Sequence, residues 1–289
     1  MNSQPFISVI IPTYNRAKFL INLLKDLTKQ NYPNFEVIII DQSEEVSPEL
    51  QKFINSLNLK IVYLKDQRKG ASRARNIGLC HSKGEYVIFL DDDVVIPETD
   101  FLIEHIKCYS DSKIGAVSGR VIEKVTKLSR GRVGKVFPIV CIPGGNADGN
   151  EFTFVDTVKG MNMSFHRNLL EAIGGFDERF GSPSIYEETD VSLKIRRMGY
   201  KILFTPKAIV IHLSASRGGQ RQVFSEAEFR FIAFRDRVLL FRSNYSLWFL
   251  PLFILGNFIL ALRPLFHLKW KMVISAILGF VEGFKRYLI

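Results

Sequence analysis

The sequence predicts a doubly wound α/β domain with a mostly parallel sheet, followed by a basic and apolar helical tail. Three observations carry this. Four short, β-branched runs in the first part of the chain are almost continuously apolar, as strands covered on both faces are. Helical stripes fill the gaps between them, which is the strand–helix–strand order of a parallel sheet. The tail, residues 225–289, carries nine Lys/Arg against four Asp/Glu and is also the most apolar part of the chain.

The first strand is "FISVII" (Phe6–Ile11), followed by "PTYN". "AKFLINLLKDLTKQ" sets Phe19, Leu20, Leu23, Leu24 and Leu27 on one stripe and predicts a helix. "FEVIII" (Phe35–Ile40) is the second strand and ends in "DQS". "PELQKFINSL" and "ASRARNIGLCHS" are shorter helices on either side of the third strand, "KIVYL" (Lys60–Leu64). The fourth strand, "EYVIFL" (Glu85–Leu90), runs directly into Asp91, Asp92 and Asp93. A further strand is expected over Ile114–Val121, and residues 124–150, rich in Gly, Lys and Arg, read as loop with a β-ribbon. "GMNMSFHRNLLEAIGGFDERF" predicts a strand entering a helix that stops at Gly174–Gly175. "EETDVSLKIRRMGY" predicts a helix with Val191, Ile195 and Met198 on one side and Gly199 beyond its end. "KILF" and "AIVI" close the domain as two short strands, the second ending at His212, so that residues 1–224 form the main domain.

Within the tail, residues 225–242 predict an amphipathic helix bearing four arginines. Ser243–Leu262 holds no charge but is interrupted by Pro251 and Asn257, and falls short of the ~20 apolar residues of a spanning helix. Basic residues flank it and a tryptophan stands between lysines in "HLKWK", so an interfacial or re-entrant hairpin is expected in preference to a span. The net charge of +10 is therefore expected to meet an anionic membrane surface, with no nucleic-acid partner, because the basic residues keep company with apolar ones and form no recognition module. Cys80, Cys108 and Cys141 lie far apart, with no close Cys or His spacing for zinc, and are expected as reduced thiols. The first residues lack a basic region followed by a long apolar core, so no secretory signal is expected.

Ligands of such a sheet sit beyond the carboxyl ends of its strands. Polar residues stand at three of those ends here, which marks a site. Alternation along an extended chain turns Asp91 and Asp93 one way and Asp92 the other. Two carboxylates on one side repel unless a hard cation joins them. Asp41 ends the second strand, where a ribose or base is often held. Neither a Gly-x-Gly-x-x-Gly nor a P-loop motif is present, which disfavours a dinucleotide fold or a P-loop. Arg68, Arg73 and Arg75 could meet phosphates or simply be solvated. Glu187, Glu188 and Asp190 open a helix, where the dipole alone favours acids. Three acids in four positions exceed that need, and a carboxylate crowded by others suits a general base. His212 is either a structural histidine or a metal ligand.

In order along the chain, "SVIIPTYNR", "VIIIDQS", "KGASRARNIGL", "GEYVIFLDDD", "GMNMSFHR…IGGFDERF", "EETDVSLKIRRMGY" and "IVIHL" resemble family 2 glycosyltransferases of the GT-A fold, over about residues 5–215. The resemblance implies an inverting enzyme that moves a sugar from a UDP- or dTDP-linked donor to an acceptor hydroxyl, in polysaccharide or glycolipid synthesis. By the same resemblance Pro12, Thr13 and Tyr14 line the base, Asp41 binds it, Arg75 and Asn76 stand beside the nucleotide, Asp91 approaches the ribose, and Asp93 with His212 holds Mg2+ or Mn2+. Asp92 supports them. The family's usual base is the aspartate of a Glu-Asp pair, and Glu188 occupies that position here, with Glu187 and Asp190 as neighbouring candidates. The implied partners are a nucleotide sugar and a glycan or lipid-linked acceptor, at the cytoplasmic face of the cell membrane. A sugar-nucleotide nucleotidyltransferase and a catalytically silent, membrane-bound binder are the competing readings; the intact acids and the "GGFDERF" segment favour transfer.

Overall fold

The protein is described from a computed structural model, covering residues 4–123, 134–144, 147–183, 185–215, 219 and 225–287. The first half alternates as β1 (Ile7–Thr13), α1 (Ala17–Leu27), β2 (Phe35–Asp41), α2 (Pro48–Ser56), β3 (Ile61–Lys65), α3 (Ala71–His81) and β4 (Tyr86–Leu90). There follow β5 (Val94–Val95), α4 (Phe101–Lys107), β6 (Ile114–Glu123), the ribbon β7 (Lys135–Phe137) and β8 (Ile142–Gly144), β9 (Thr153–Val155), β10 (Asn162–His166), α5 (Arg167–Ala172), α6 (Glu187–Arg197) and β11 (Lys201–His212). The tail folds as α7 (Glu226–Asn244), α8 (Leu250–Leu262) and α9 (Trp270–Tyr287). The expected ribbon is present at β7–β8, while residues 124–133 and 145–146 of the same expected loop lie outside the described residues.

The nine-stranded sheet runs in the order β3-β2-β1-β4-β10-β6-β11-β5, with β9 beside β11. β1 to β4 are parallel, and β1 has β2 on one side and β4 on the other. The chain thus switches direction of travel across the sheet at β1 and β4, and a crevice opens above their carboxyl ends. The parallel run is broken by β10, which lies antiparallel to both β4 and β6. The two short closing strands are one strand, β11, whose register against β6 slips between Thr205 and Ile209. Pro206 lies in that slip and has no N–H to give the ladder.

Side-chain alternation divides the core between the two faces of the sheet. Val9, Ile11, Val37 and Ile39 meet Leu20, Leu23, Leu24 and Phe101 on one face. Ile10, Ile38, Ile40 and Phe89 meet Ala74, Leu170, Val191 and Ile195 on the other. Gly78 brings α3 unusually close to the sheet, since a Cβ there would stand 2.3 Å from Ile10 Cγ2 and 2.9 Å from Ile40 Cδ1. That close approach lays the start of α3, with Arg75, over the crevice.

The tail differs from expectation in one respect. α7 is not an amphipathic helix lying on the surface: Arg235 and Asp236 are buried along with Ile232, Phe234, Leu239 and Phe241. The pair can turn inward because each neutralises the other and both are hydrogen-bonded. Arg235 Nε donates to Asp236 Oδ1 at 2.6 Å, and its Nη2 donates to the carbonyls of Phe180 (2.8 Å) and Pro183 (2.7 Å). Asp236 Oδ2 accepts from the Ile185 N–H at 3.1 Å. α9 lies against α7 so tightly that a Cβ on Gly279 would be 2.1 Å from the Phe231 carbonyl, and α8 stacks Phe253 on Phe241 at 4.2 Å.

Removing one member of the buried pair strands the other. Asp236→Ala is expected to destabilise the fold by about 3–5 kcal/mol in chemical denaturation, while Arg235→Met combined with Asp236→Leu recovers most of that loss.

Candidate active site

β4 delivers Asp91, Asp92 and Asp93 to the carboxyl edge, and the register of the next strands decides what they meet. β5 turns back along the end of β11, setting His212 opposite Val94. The Leu213 N–H donates to the Asp93 carbonyl at 3.0 Å, and His212 Nε2 lies 3.5 Å from Asp93 Oδ1. One donor atom from each of Asp91, Asp93 and His212 falls within 4.8 Å of the others. Two carboxylates and an imidazole suit a hard divalent cation.

Asp92 lines the same crevice but is not one of the three clustered residues. Its carboxylate accepts from the Thr13 hydroxyl at 2.7 Å and from Arg16 Nη1 at 3.0 Å. Burial pushes its pKa up to about 7, against the pull of Arg16 and Thr13. Arg16 Nη1 is also 3.0 Å from Asp93 Oδ2, and its Nη2 donates to the Ala215 carbonyl at 3.1 Å. For Asp93, burial raises the pKa, but the His212 hydrogen bond, the Arg16 charge and the Ala215 N–H outweigh it and hold the carboxyl below its ordinary value. His212 is shifted in the opposite sense: burial lowers its pKa, and the hydrogen bond and charge of Asp93, with Asp91 and Glu123, more than reverse this.

Across the crevice stands the start of α6. Arg75 Nη1 donates to Glu187 Oε1 at 2.7 Å, and its Nη2 lies 3.7 Å from Asp91 Oδ1. Arg75 is buried, and its pocket depends on Gly160, where a Cβ would come within 3.1 Å of Nη2 and 3.9 Å of the Glu188 carboxyl carbon. Burial opposes the guanidinium charge, and Glu187, Asp91 and Glu188 restore it. The crevice has a volume of about 270 Å³; Pro12, Thr13, Tyr14, Arg75, Asp91, Asp92, Asp93, Glu187 and His212 all line it.

Two expected residues are engaged by partners away from the crevice lining. Asn76 takes no part in the lining of the crevice: its Nδ2 donates to the Phe176 carbonyl at 2.8 Å and its Oδ1 accepts from the Phe176 N–H at 2.8 Å, pinning the loop before α6. Asp190 is fully buried, ion-paired to Lys194 at 2.6 Å and accepting from Asn244 Nδ2 at 2.6 Å, so α7 has closed over it. Asp41 lies in an adjoining hollow with Thr13 and Ser43; its Oδ1 accepts from the Ser43 N–H at 2.8 Å and its Oδ2 from the Tyr63 hydroxyl. Glu188 follows Glu187 on α6; Glu187 lines the crevice and Glu188 does not, but Glu188 remains 9 % exposed, against 2 % for Glu187 and 0 % for Asp190.

Sequence reasoning missed Arg16, which closes the segment "PTYNR" and binds Asp92, 76 residues away, together with Asp93. Its signal was available: carboxylates crowded at a buried edge require a cation, and Arg16 is the basic residue at the neighbouring strand end.

The model of glycosyl transferase family 2 matches residues 8–171, more than half of the chain. The chain belongs to glycosyl transferase family 2. This family 2 chain is 37% identical over 123 residues to the Staphylococcus aureus poly(ribitol-phosphate) β-N-acetylglucosaminyltransferase TarS, covering 39% of the chain and 22% of TarS. It is 29% identical over 225 residues, covering 73% of the chain and 68% of the relative, to a Methanococcus voltae dolichyl N-acetyl-α-D-glucosaminyl phosphate 3-β-D-2,3-diacetamido-2,3-dideoxy-β-D-glucuronosyltransferase. Among the first curated relatives, the matches span about a fifth of TarS and about half of the probable glycosyltransferase YdaM of Bacillus subtilis. The fold is GT-A: the mannosyltransferase PcManGT of Pyrobaculum calidifontis, solved with GDP-Man and Mn2+, superposes with a TM-score of 0.64 at 20% identity over 98% of this chain and 88% of that one.

Asp93→Asn is expected to weaken Mn2+ binding by about tenfold or more in titration calorimetry, with an unchanged circular dichroism spectrum.

Proposed function

We propose that this chain transfers a sugar from a nucleotide-diphosphate sugar to an acceptor hydroxyl with inversion at the anomeric carbon. One observation carries the reading. A cluster of two carboxylates and an imidazole sits at the switch point of the sheet and faces the acid-rich start of α6 across the same crevice.

In this reading Asp91, Asp93 and His212 hold Mg2+ or Mn2+, which when bound supplies positive charge beside the diphosphate. The nucleotide lies over the carboxyl ends of β1 and β4. The donor nucleotide in this reading is UDP or dTDP, with Asp41, which accepts from Ser43 and Tyr63 and lies 3.8 Å from Lys65 Nζ, as the acceptor for the N3–H of the pyrimidine. Tyr14 gives the base a ring to lie against, itself covered by Lys69, whose Nζ is 4.4 Å from the ring centroid. Arg75, held by Glu187 and Asp91, keeps a fixed positive charge at the wall of the crevice.

Glu188 is the general base. It stands in the motif position of the family's base, beside the crevice-lining Glu187, and is 9 % exposed where Glu187 is 2 % and Asp190 0 %. Its carboxylate takes the proton of the acceptor hydroxyl as that oxygen forms its bond to the anomeric carbon. The bond from that carbon to the diphosphate breaks, and its electron pair leaves on the nucleoside diphosphate. The acceptor is a glycan or a lipid-linked sugar, in keeping with the polymer and the dolichyl phosphate in the names of two relatives.

Glu188→Gln is expected to lower kcat by about 10²–10⁴-fold while leaving the Kd for the nucleotide diphosphate unchanged. Full turnover by Glu188→Gln with loss in Glu187→Gln moves the base to Glu187. No hydrolysis or transfer of any nucleotide sugar in a panel with Mn2+ overturns the transferase reading.

A further inference from the structure

α8 and α9 each bury one side against α7 and leave the other uncovered. On α8 the inward positions are Phe253, Asn257 and Ala261, while Leu252, Leu255, Phe258 and Ile259 are exposed on the opposite side. On α9 the inward positions include Val273 and Ala276, and Ile274, Ile277, Leu278 and Val281 are exposed. The two helices touch through Phe253 and Phe280, whose rings are 5.7 Å apart. So much exposed apolar surface on neighbouring elements marks an interaction face.

The surroundings of the face say what covers it. Trp248 is 91 % exposed just before α8 and Trp270 is 61 % exposed at the start of α9, the ring type that settles at the boundary between acyl chains and headgroups. Arg263 and Lys271 stand exposed around the α8–α9 turn with Lys269, which is paired to Glu226 at 2.9 Å, and no acid lies on α8. A basic rim around an apolar face complements an anionic lipid surface and repels a second copy of itself.

By length and composition alone the helical stretch Leu247–Leu265, in which a 3₁₀ turn, α8 and a second 3₁₀ turn follow one another for 19 residues, is long and apolar enough to cross a membrane. What disfavours a span is how that stretch is tied down: Phe253 stacks on Phe241 of α7. α8 is also held to α7, where Arg237 Nη1 donates to Asn257 Oδ1 at 3.4 Å, and α7 carries Arg230, Arg235, Asp236 and Arg237, which do not enter hydrocarbon.

We propose that the outer faces of α8 and α9 dock into one leaflet of an anionic bilayer, such as the cytoplasmic leaflet, with Trp248, Trp270 and the basic turn at the headgroups and no segment crossing. α7 joins this platform to the crevice, since Arg235 holds the carbonyl of Pro183, a residue of the crevice wall.

Flotation of the full chain with vesicles tests this without donor or acceptor, so its outcome is independent of the transferase reading. The chain is expected to float with phosphatidylcholine–phosphatidylglycerol vesicles and to be released by alkaline carbonate. Leu255→Asp with Phe258→Asp abolishes flotation, and Arg263→Glu with Lys271→Glu lowers the bound fraction at least about tenfold, with the loss mimicked by high salt. Unchanged circular dichroism and melting temperature show that the variants fold, and the charge-reversed pair decides alone if the apolar pair does not. Resistance to carbonate would show a span and overturn the proposal. So would absence of flotation, or a dimer in sedimentation that Leu255→Asp with Phe258→Asp dissociates while vesicle binding persists.

Discussion

The crevice gathers carboxylates that cannot share a buried space on their own, and two guanidinium groups make the arrangement possible. Arg16 lies between Asp92 and Asp93, and Arg75 between Asp91 and Glu187. Each arginine reaches from one element to acids on another, so charge balance and shape are one constraint. Gly78 lets α3 rest on β1 and β2, and Gly160 leaves room beside the Arg75 head, where a Cβ would stand 3.1 Å from Nη2. Unbalanced, these acids would take up protons and lose the acceptor oxygens that a cation or a reacting hydroxyl needs. Asp92 shows the tendency, drawn up by burial even with Arg16 and Thr13 against it.

The strands of the first half were legible in the sequence because β1, β2 and β4 are buried on both sides and mostly apolar, while the partly buried edge strand β3 is still rich in β-branched and aromatic residues. The triplet was legible for the converse reason: three charges straight after "VIFL" cannot lie inside the sheet. What the sequence could not carry was register. That His212 meets Asp93 depends on β5 pairing back along β11, and Val94–Val95 is too short to announce itself. Asn76 and Asp190 stood in motifs with the right residue types, yet each is turned to structural work by a partner distant in sequence, Phe176 and Asn244. α7 misled for a related reason, since a polar pair that satisfies itself at Arg235–Asp236 has the period of a solvated face.

The tail is mechanically part of the crevice. The loop from Phe176 to Tyr186 leads into the acids of α6, and it is held on one side by Asn76 and on the other by Arg235 and Asp236. The start of α6 is therefore clamped between α3 and α7, which lets adjacent acids be given separate surroundings on a single helical turn.

The pairing of β5 with β11 has a thermodynamic consequence. Asp93 follows β4 and His212 ends β11, so they are neighbours only once the elements between them have folded. An ion held by both would have no comparable site in the unfolded chain. Its binding free energy would then act as a staple closing the domain, making stability rise with ion concentration by mass action. The same two side chains would make the metal supply of the cell a determinant of how long the folded chain survives.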